Sequence, residues 1–490
     1  GGTGGDDDDD GDSARSFGER VELLVVRMYA VIRDNQRIVE SRNDAELTAD
    51  LYYQVSQNYV EMPVLRITWL EHMANYHVNK SHFYEAAQCK LYVANVVLGY
   101  LHTHTRRRKR LQGVPPLNTA FRDAAPNVAL EPPSPAAVAS NEGMYDDPVF
   151  SVEGLERTLL TAVRYLRRCE MFEAAVEVHE LLVGLYRAKK DYGKLHSAYA
   201  ALASHCGDLV SLQARGRFFP VYYRVAFYGK RLAALHAKEF IYRAEHTVGV
   251  SQMTERLVDH FATKYGRANV RQLKNTTVVD AGALDERYVY VQCASVTPHW
   301  EHRSAHHPPY FTPHFRLQVP FTKKKAATGD DDGGGGGGGG GGLAAQYIRR
   351  ITYTLERSFP WINTRLLVVA RDVVELTPIE NAIEVIKTQS AGVKQEIDAE
   401  PVNKLGLQRI LQGSVQPQVH GGTLEVCATF LDAAVVDAYP ADAVALLRKS
   451  LLKFFALCHD AIVLHGRVLD DAAAAAAHVV EERLRRATCR

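Results

Sequence analysis

The chain has 490 residues, 46% hydrophobic and 23% charged, which is the balance of a globular protein with two to four cores. A formal net charge of +1 provides no global field that would argue for nucleic acid or an anionic surface. The apolar runs, such as Leu366 to Ala370 and the alanines near 472–477, are too short to span a bilayer, and the start GGTGGDDDDDGD lacks the basic and apolar parts of a secretory signal.

Seven cysteines (Cys89, Cys169, Cys206, Cys293, Cys427, Cys458, Cys489) follow no CxxC spacing, which predicts reduced structural thiols and a cytoplasmic protein. Residues 1–16 read as a disordered linker. Residues 17–216 read as a helical lobe. Val21, Leu24, Val25 and Met28 begin one stripe at helix spacing. Leu65, Trp69, Met73, Tyr76 and His77 make a second, and Ala86, Ala87, Leu91, Ala94 and Val97 a third. The segment 81–101 shares a Phe, Glu-Ala-Ala core with 170–186. The next helix, 191–205, has a tetratricopeptide-like character. Between them, 103–150 holds RRRKR (106–110) and a Pro- and Ala-rich stretch, read as a disordered, exposed insertion whose basic run is a solvated face.

From Phe218 the period changes. VYYRVAFYG (221–229), KEFIYR (238–243) and YVYVQCASV (288–296) read as strands, and TERLVDHFATKYG (254–266) as a helix closed by Gly266. Phe315, Leu317, Val319 and Phe321 alternate with polar or proline positions, as in a half-buried strand. RRITYTLERSF (349–359) and NTRLLVVARDVVEL (363–376) follow a polyglycine loop, 326–345. These make an antiparallel β lobe over 217–377. The remainder, 378–490, reads as a helical bundle. Ile379, Ile383, Ile386 and Val393 form one stripe. Val444, Leu447, Leu451, Phe454, Cys458 and Ile462 form another.

Inside that bundle, GSVQPQVHGG (413–422) interrupts a helical pattern. Leu405, Leu407, Ile410 and Leu411 precede it, and Leu424, Val426, Phe430 and Leu431 follow. A Gly, a Pro and a Gly pair cannot continue a regular helix. The break offers two valines, Val415 and Val419, and an apolar side chain on a rigid broken helix makes a wedge, not a catalyst. Taken alone, the segment reads first as an ordinary interhelical turn with both valines packed inward.

Enzyme signatures are missing: there is no GxxxxGK[ST], HExxH or GxSxG. The polyglycine run matches GxGxxG trivially. His299, His302, His306, His307 and His314 sit among prolines and read as a solvated loop, so no cofactor or metal is expected and a metal-dependent hydrolase is the weakest reading.

Seven blocks, in order, resemble the catalytic Dock-homology region (DOCKER domain) of the dedicator-of-cytokinesis (DOCK) family. They are 67–94, YYRVAFYGKR (222–231) with KEFIYR, VQCASVTPHW (291–300), FRLQVPFT (315–322), ITYTLERSFPWINTR (351–365), LTPIENAI (376–383) and LQGSVQPQVHGGTLEVCATFL (411–431). The resemblance implies an α+β, mainly α fold of three lobes. These are a TPR-like helical array carrying a dimer contact, an antiparallel β lobe, and a helical bundle with an interrupted helix. The second and third together grip a Rho-family GTPase, Rac- or ROP-like and nucleotide-free, and expel GDP and Mg²⁺. It assigns the nucleotide sensor to a valine in the break, Val419 first and Val415 second. Gly413, Ser414, Pro417, Gln418, His420, Gly421 and Gly422 surround it as GTPase contacts. Partners would then be the GTPase and a second copy of the chain, with no nucleic acid and the membrane reached only indirectly through other regions. The alternative is a helical scaffold that has lost exchange. The long 103–150 insertion and the polyglycine loop depart from the family pattern and leave the choice of GTPase open.

Overall fold

The computed structural model describes residues 17–60, 62–103, 121–129, 147–274, 279–300, 311–322, 343–398, 402, 404–415 and 422–488. They divide into two compact units. The first takes in Gly1–His314 and Leu355–Val369, the second Phe315–Thr354 and Ala370–Arg490. The chain passes between them within strands.

In the first unit, α1 (Phe17–Glu40), α2 (Ala45–Asn58), α3 (Pro63–Asn79) and α4 (Phe83–Thr103) lead through the short α5 (Pro126–Ala129) to α6 (Val152–Arg168), α7 (Phe172–Lys189) and α8 (Tyr192–Arg215). The sequence repeat is a repeated turn. Ser81, Glu170 and Lys190 each adopt a left-handed backbone at φ 60°, 58° and 54°. The following N–H then reaches back to close each helix: His82 to His77, Met171 to Leu166, Asp191 to Tyr186. Ala86, Ala87, Ala174 and Ala175 are buried, so successive helices approach closely. The α1 stripe behaves otherwise: Val21, Val25, Met28, Tyr29 and Ile32 are exposed.

Part of the insertion is ordered core, not the exposed disorder its composition suggests. Phe121, Val128 and Phe150 are fully buried, and Tyr100 of α4 packs on Phe150 with ring centroids 4.6 Å apart. Three aromatic or β-branched anchors outweigh the surrounding Pro and Ala. The remainder of 103–150 lies outside the described residues, RRRKR included.

The strands are β1 (Val221–Tyr228), β2 (Lys238–Ala244), β3 (Val270–Leu273), β4 (Val289–His299), β5 (Thr312–Thr322), β6 (Gln346–Phe359) and β7 (Arg365–Leu376), with α9 (Val250–Tyr265) between β2 and β3. Their order is β1-β2-β7-β6-β5-β4-β3, and β1 also pairs with β4. The pairings β1–β2, β1–β4 and β2–β7 are antiparallel, as expected, whereas β3, which the sequence did not announce, lies parallel to β4. Both faces of β1 are buried. Tyr223, Val225 and Phe227 meet Met253, Leu257 and Phe261 of α9, which Gly266 ends at φ +87°. On the other parity, Arg224 chelates Glu239, and Arg243 of β2 forms a two-pronged pair with Glu85 of α4 at 2.5 and 2.6 Å. Burial works against the Glu85 carboxylate, but the Arg243 guanidinium outweighs it and holds the group below its ordinary range. Two further polar ties join helix to strand. Asp50 accepts from Asn363 and Arg365, and Asn127 exchanges hydrogen bonds with the Ser358 backbone at 2.6 and 3.1 Å.

Removing one partner strands the other in a dry site. Glu85→Ala is therefore expected to cost about 3–5 kcal/mol in urea unfolding, and the pair Glu85→Leu with Arg243→Met to recover most of that loss. Wild-type stability in Glu85→Ala would contradict this packing role.

Candidate functional site

The interrupted helix belongs to the second unit. Its frame is α10 (Pro378–Ile397), α11 (Lys404–Val415), α12 (Thr423–Phe430) and α13 (Ala441–Thr488). The motif LTPIENAI is the start of α10. Pro378 takes the first helical position, the Thr377 hydroxyl accepts from the Glu380 N–H, and the Glu380 carboxylate accepts from the Thr377 N–H at 2.8 Å. Glu384, one turn on, is gripped by Arg350 of β6 through both carboxylate oxygens at 2.5 Å. The first turns of α10 are thus fixed by two polar devices before any apolar packing is counted.

Ile379, Ile383, Ile386 and Val393 of α10 share one core with Leu407, with Val426 and Phe430, and with Val444, Leu447, Leu451, Phe454, Cys458 and Ala461 of α13. Both halves of the broken helix are therefore anchored in the same apolar cluster. Phe430 meets Tyr439 edge-on at 5.2 Å. Gly392 lets α10 approach α11: a Cβ there would stand 3.2 Å from Ile410 Cδ1. Burial pushes the Cys427 and Cys458 thiols up, which disfavours the thiolate form.

Several positions differ from expectation. The helix runs through Gly413 and Ser414 to Val415, so these three form the last turn of α11 and the break opens three residues later than composition suggests. One Gly costs a helix only about 1 kcal/mol, whereas Pro417 disfavours helical backbone at the residue before it, and α11 ends just ahead of that residue. Gly422 is the N-cap of α12 at φ −70°, an ordinary extended conformation, and no side chain among the described residues caps that helix. Pro417, Gln418, Val419, His420 and Gly421 lie outside the described residues, as does the side-chain environment of Val415.

Leu405 and Leu424 are 76% and 71% exposed and do not join the core stripes assigned to them. Each lies two residues before a buried position, Leu407 and Val426, which is about 200° around a helix. Leu424 thus places an exposed apolar side chain two residues after Gly422, a contact candidate that a sharper count of helical angle would have found. On α13 the stripe passes through Ala461, leaving Ile462 exposed. His299 ends β4 and His314 lies in β5, while the other three histidines of that run lie outside the described residues. No group of three or more metal-ligating side chains occurs among the described residues.

Comparison with known families gives three matches in one domain: DHR-2, Lobe A over residues 50–211, DHR-2, Lobe B over 276–358 and DHR-2, Lobe C over 392–487. The chain belongs to the dedicator-of-cytokinesis (DOCK) family and carries its DHR-2 domain. Curated relatives agree. Mouse dedicator of cytokinesis protein 6 is 30% identical over 426 residues, 85% of this chain and 20% of the relative. Mouse protein 9 is 28% identical over 480 residues, 93% and 22% respectively. Human protein 7 is 29% identical over 426 residues, 85% and 19%. The chain spans about a fifth of the length of these relatives. The DHR-2 Lobe C match contains α11, the break and α12. No helix among the described residues is long and apolar enough to cross a membrane.

The α10–α11 approach makes a test of this lobe C frame. Gly392→Ala is expected to stay within about 1 kcal/mol of wild type, since Ile410 can yield and helix propensity rises. Gly392→Leu should lose about 1–3 kcal/mol by overpacking. Equal denaturation midpoints for wild type and Gly392→Leu would contradict the close approach.

Proposed function

We propose that the chain is a guanine-nucleotide exchange factor for a Rho-family small GTPase, and that it acts through the break between α11 and α12. The observation that carries this reading is a helix interrupted inside a DHR-2 Lobe C match, with both flanking helices rooted in one core. The family names of the relatives and the lack of any enzyme motif in the sequence support it.

The mechanism follows from the chemistry of the GTPase. Its Mg²⁺ needs near-octahedral oxygen ligation and neutralises nucleotide phosphate. A valine methyl group in that volume supplies no oxygen and excludes the ion. The phosphate charge is then uncompensated and GDP leaves. Val419 is the first choice for this wedge and Val415 the second. With Val415 closing a helix, a wedge there would project from the end of α11, whereas Val419 would project from the segment between the helices. Pro417 stiffens that segment by fixing its own φ. Gly413, Ser414, Gln418, His420, Gly421 and Gly422 are proposed to touch the GTPase, with Leu424 added. Linkage requires that a protein which weakens nucleotide binding be weakened equally by nucleotide, so GTP with Mg²⁺ dislodges it. No covalent step is involved.

Release of a fluorescent GDP analogue from a panel of Rho GTPases is the test. The full chain should accelerate release for at least one member, preferring Rac- or ROP-like proteins. Val419→Ala should retain binding but slow release about 10-fold or more when Mg²⁺ is present, an energy change of about 1.4 kcal/mol. Binding without acceleration would favour the inactive scaffold. Wild-type exchange in both Val419→Ala and Val415→Ala would remove the wedge.

We further propose a homodimer through the helical array, supported by the exposed stripe of α1. Val21, Val25, Met28 and Ile32 recur at i, i+4, i+7 and i+11, a seam suited to a second copy. Light scattering at micromolar concentration should give twice the chain mass, and Tyr29→Glu with Ile32→Glu should halve it. A wild-type monomer would contradict the proposal.

A further inference from the structure

The helical array carries a groove that exchange does not use. On α6, Arg157, Leu160, Arg164 and Arg167 recur at i, i+3, i+7 and i+10, and so line one face, while Leu155, Leu159, Ala162 and Leu166 are buried on the other. On α8, Lys194, Ala201 and His205 form a facing line. Between the two helices lies a cavity of about 580 Å³, with His179 of α7 also in its lining. Its walls are apolar at Leu160, Val163 and Ala201, and its titratable lining comprises four cations and two carboxylates besides the two histidines. The carboxylates are spoken for: Glu156 binds Lys194 at 2.7 Å and Glu153 binds Lys189 at 2.9 Å. Arg167 stands 3.9 Å from Asp208. Among the described residues, neither Arg157 nor Arg164 has a carboxylate within ion-pair distance. Arg164 donates only to the Thr161 hydroxyl.

His205 supplies a second, independent observation. It is 1% exposed, and neither ring nitrogen has a hydrogen-bond partner. Its ring packs against that of His179, centroids 4.9 Å apart, and against Phe172. Burial, reinforced by His179, pushes its pKa down to about 4, so the ring is neutral near pH 7 and carries one N–H to donate. A buried polar group without a partner costs about 1–3 kcal/mol. The cavity that His205 lines is the route by which a partner would reach it.

We propose that the α6–α8 groove binds an extended acidic peptide. One carboxylate enters past Leu160 and accepts from His205, and others pair with Arg157 and Arg164. The spacing favours a peptide over a single anion. Arg157 and Arg164 are separated by two helical turns, about 10.5 Å of rise, the length of about three extended residues. Acidic residues three positions apart therefore match the two guanidinium groups, and an apolar residue between them meets Leu160. This reading uses only the helical array and stands whether or not the α11–α12 break releases nucleotide.

Fluorescence anisotropy with a labelled peptide of repeated Glu-Leu-Ala triplets, nine residues long and so carrying three Glu, tests it on the full chain. Saturable binding at micromolar concentration is expected, with at least 10-fold loss when each Glu is replaced by Gln. Arg157→Glu with Arg164→Glu should lose at least 10-fold while circular dichroism stays unchanged. His205→Phe, which keeps an aromatic ring in the packing, should weaken binding about 5-fold or more. Equal affinity for the Glu and Gln peptides, binding indifferent to the arginine variants, or no binding at millimolar peptide would each overturn the proposal. So would capture of phosphatidylserine vesicles in preference to the peptide.

Discussion

A proline between two short helices rooted in one apolar core works against joining them as one continuous helix. This constraint shapes the C-terminal unit. Leu407 holds α11, Val426 and Phe430 hold α12, and all three are packed against α10 and α13. Pro417 disfavours helical backbone at the residue before it, and the six residues 416–421 separate the described ends of α11 and α12. Their sequence includes one valine, one histidine and one glycine. The core makes the ends stiff, and stiffness is what a steric wedge requires. A valine on a mobile linker would move aside at little cost instead of displacing an ion.

In the N-terminal unit, polar ties do comparable work. Glu85 with Arg243, Asp50 with Arg365 and Asn127 with Ser358 each join a helix to a strand at a distinct point. Such pairs are directional, so they fix register and orientation where apolar packing alone would allow slippage. Arg243 is also clamped over the Tyr84 ring at 4.8 Å, which restricts its approach further. The block FYEAA, visible in the sequence as half of a repeat, thus has two roles. Its alanines pack helix on helix, and its glutamate reaches β2.

Much of this was legible in the sequence. The α10 stripe of Ile379, Ile383, Ile386 and Val393, the Gly266 stop, the strands around Val225 and Val291 and the mainly helical α+β class all follow from period and end signals. The family follows from seven ordered blocks. What was not legible has physical causes. Periodicity finds a face but does not say what covers it, so the α1 stripe could not be told from a core face, and Val21, Val25 and Met28 are exposed. Counting hydrophobics without angle misassigned Leu405 and Leu424. Composition hid Phe121, Asn127 and Phe150 inside a Pro- and Ala-rich insertion, because three anchoring side chains barely change an average. Gly413 looked like a stop, yet the helix tolerates it and ends ahead of Pro417. The groove at His205 was invisible because its parts lie on three helices.

The central claim is that an apolar side chain from the α11–α12 break takes the place of the divalent cation in the GTPase. Mn²⁺ substituted for Mg²⁺ in the GTPase–GDP complex reports this directly by electron paramagnetic resonance. On adding the full chain, the account predicts that the signal of free Mn²⁺ rises before GDP departs, or together with it. GDP leaving while Mn²⁺ stays bound would contradict it.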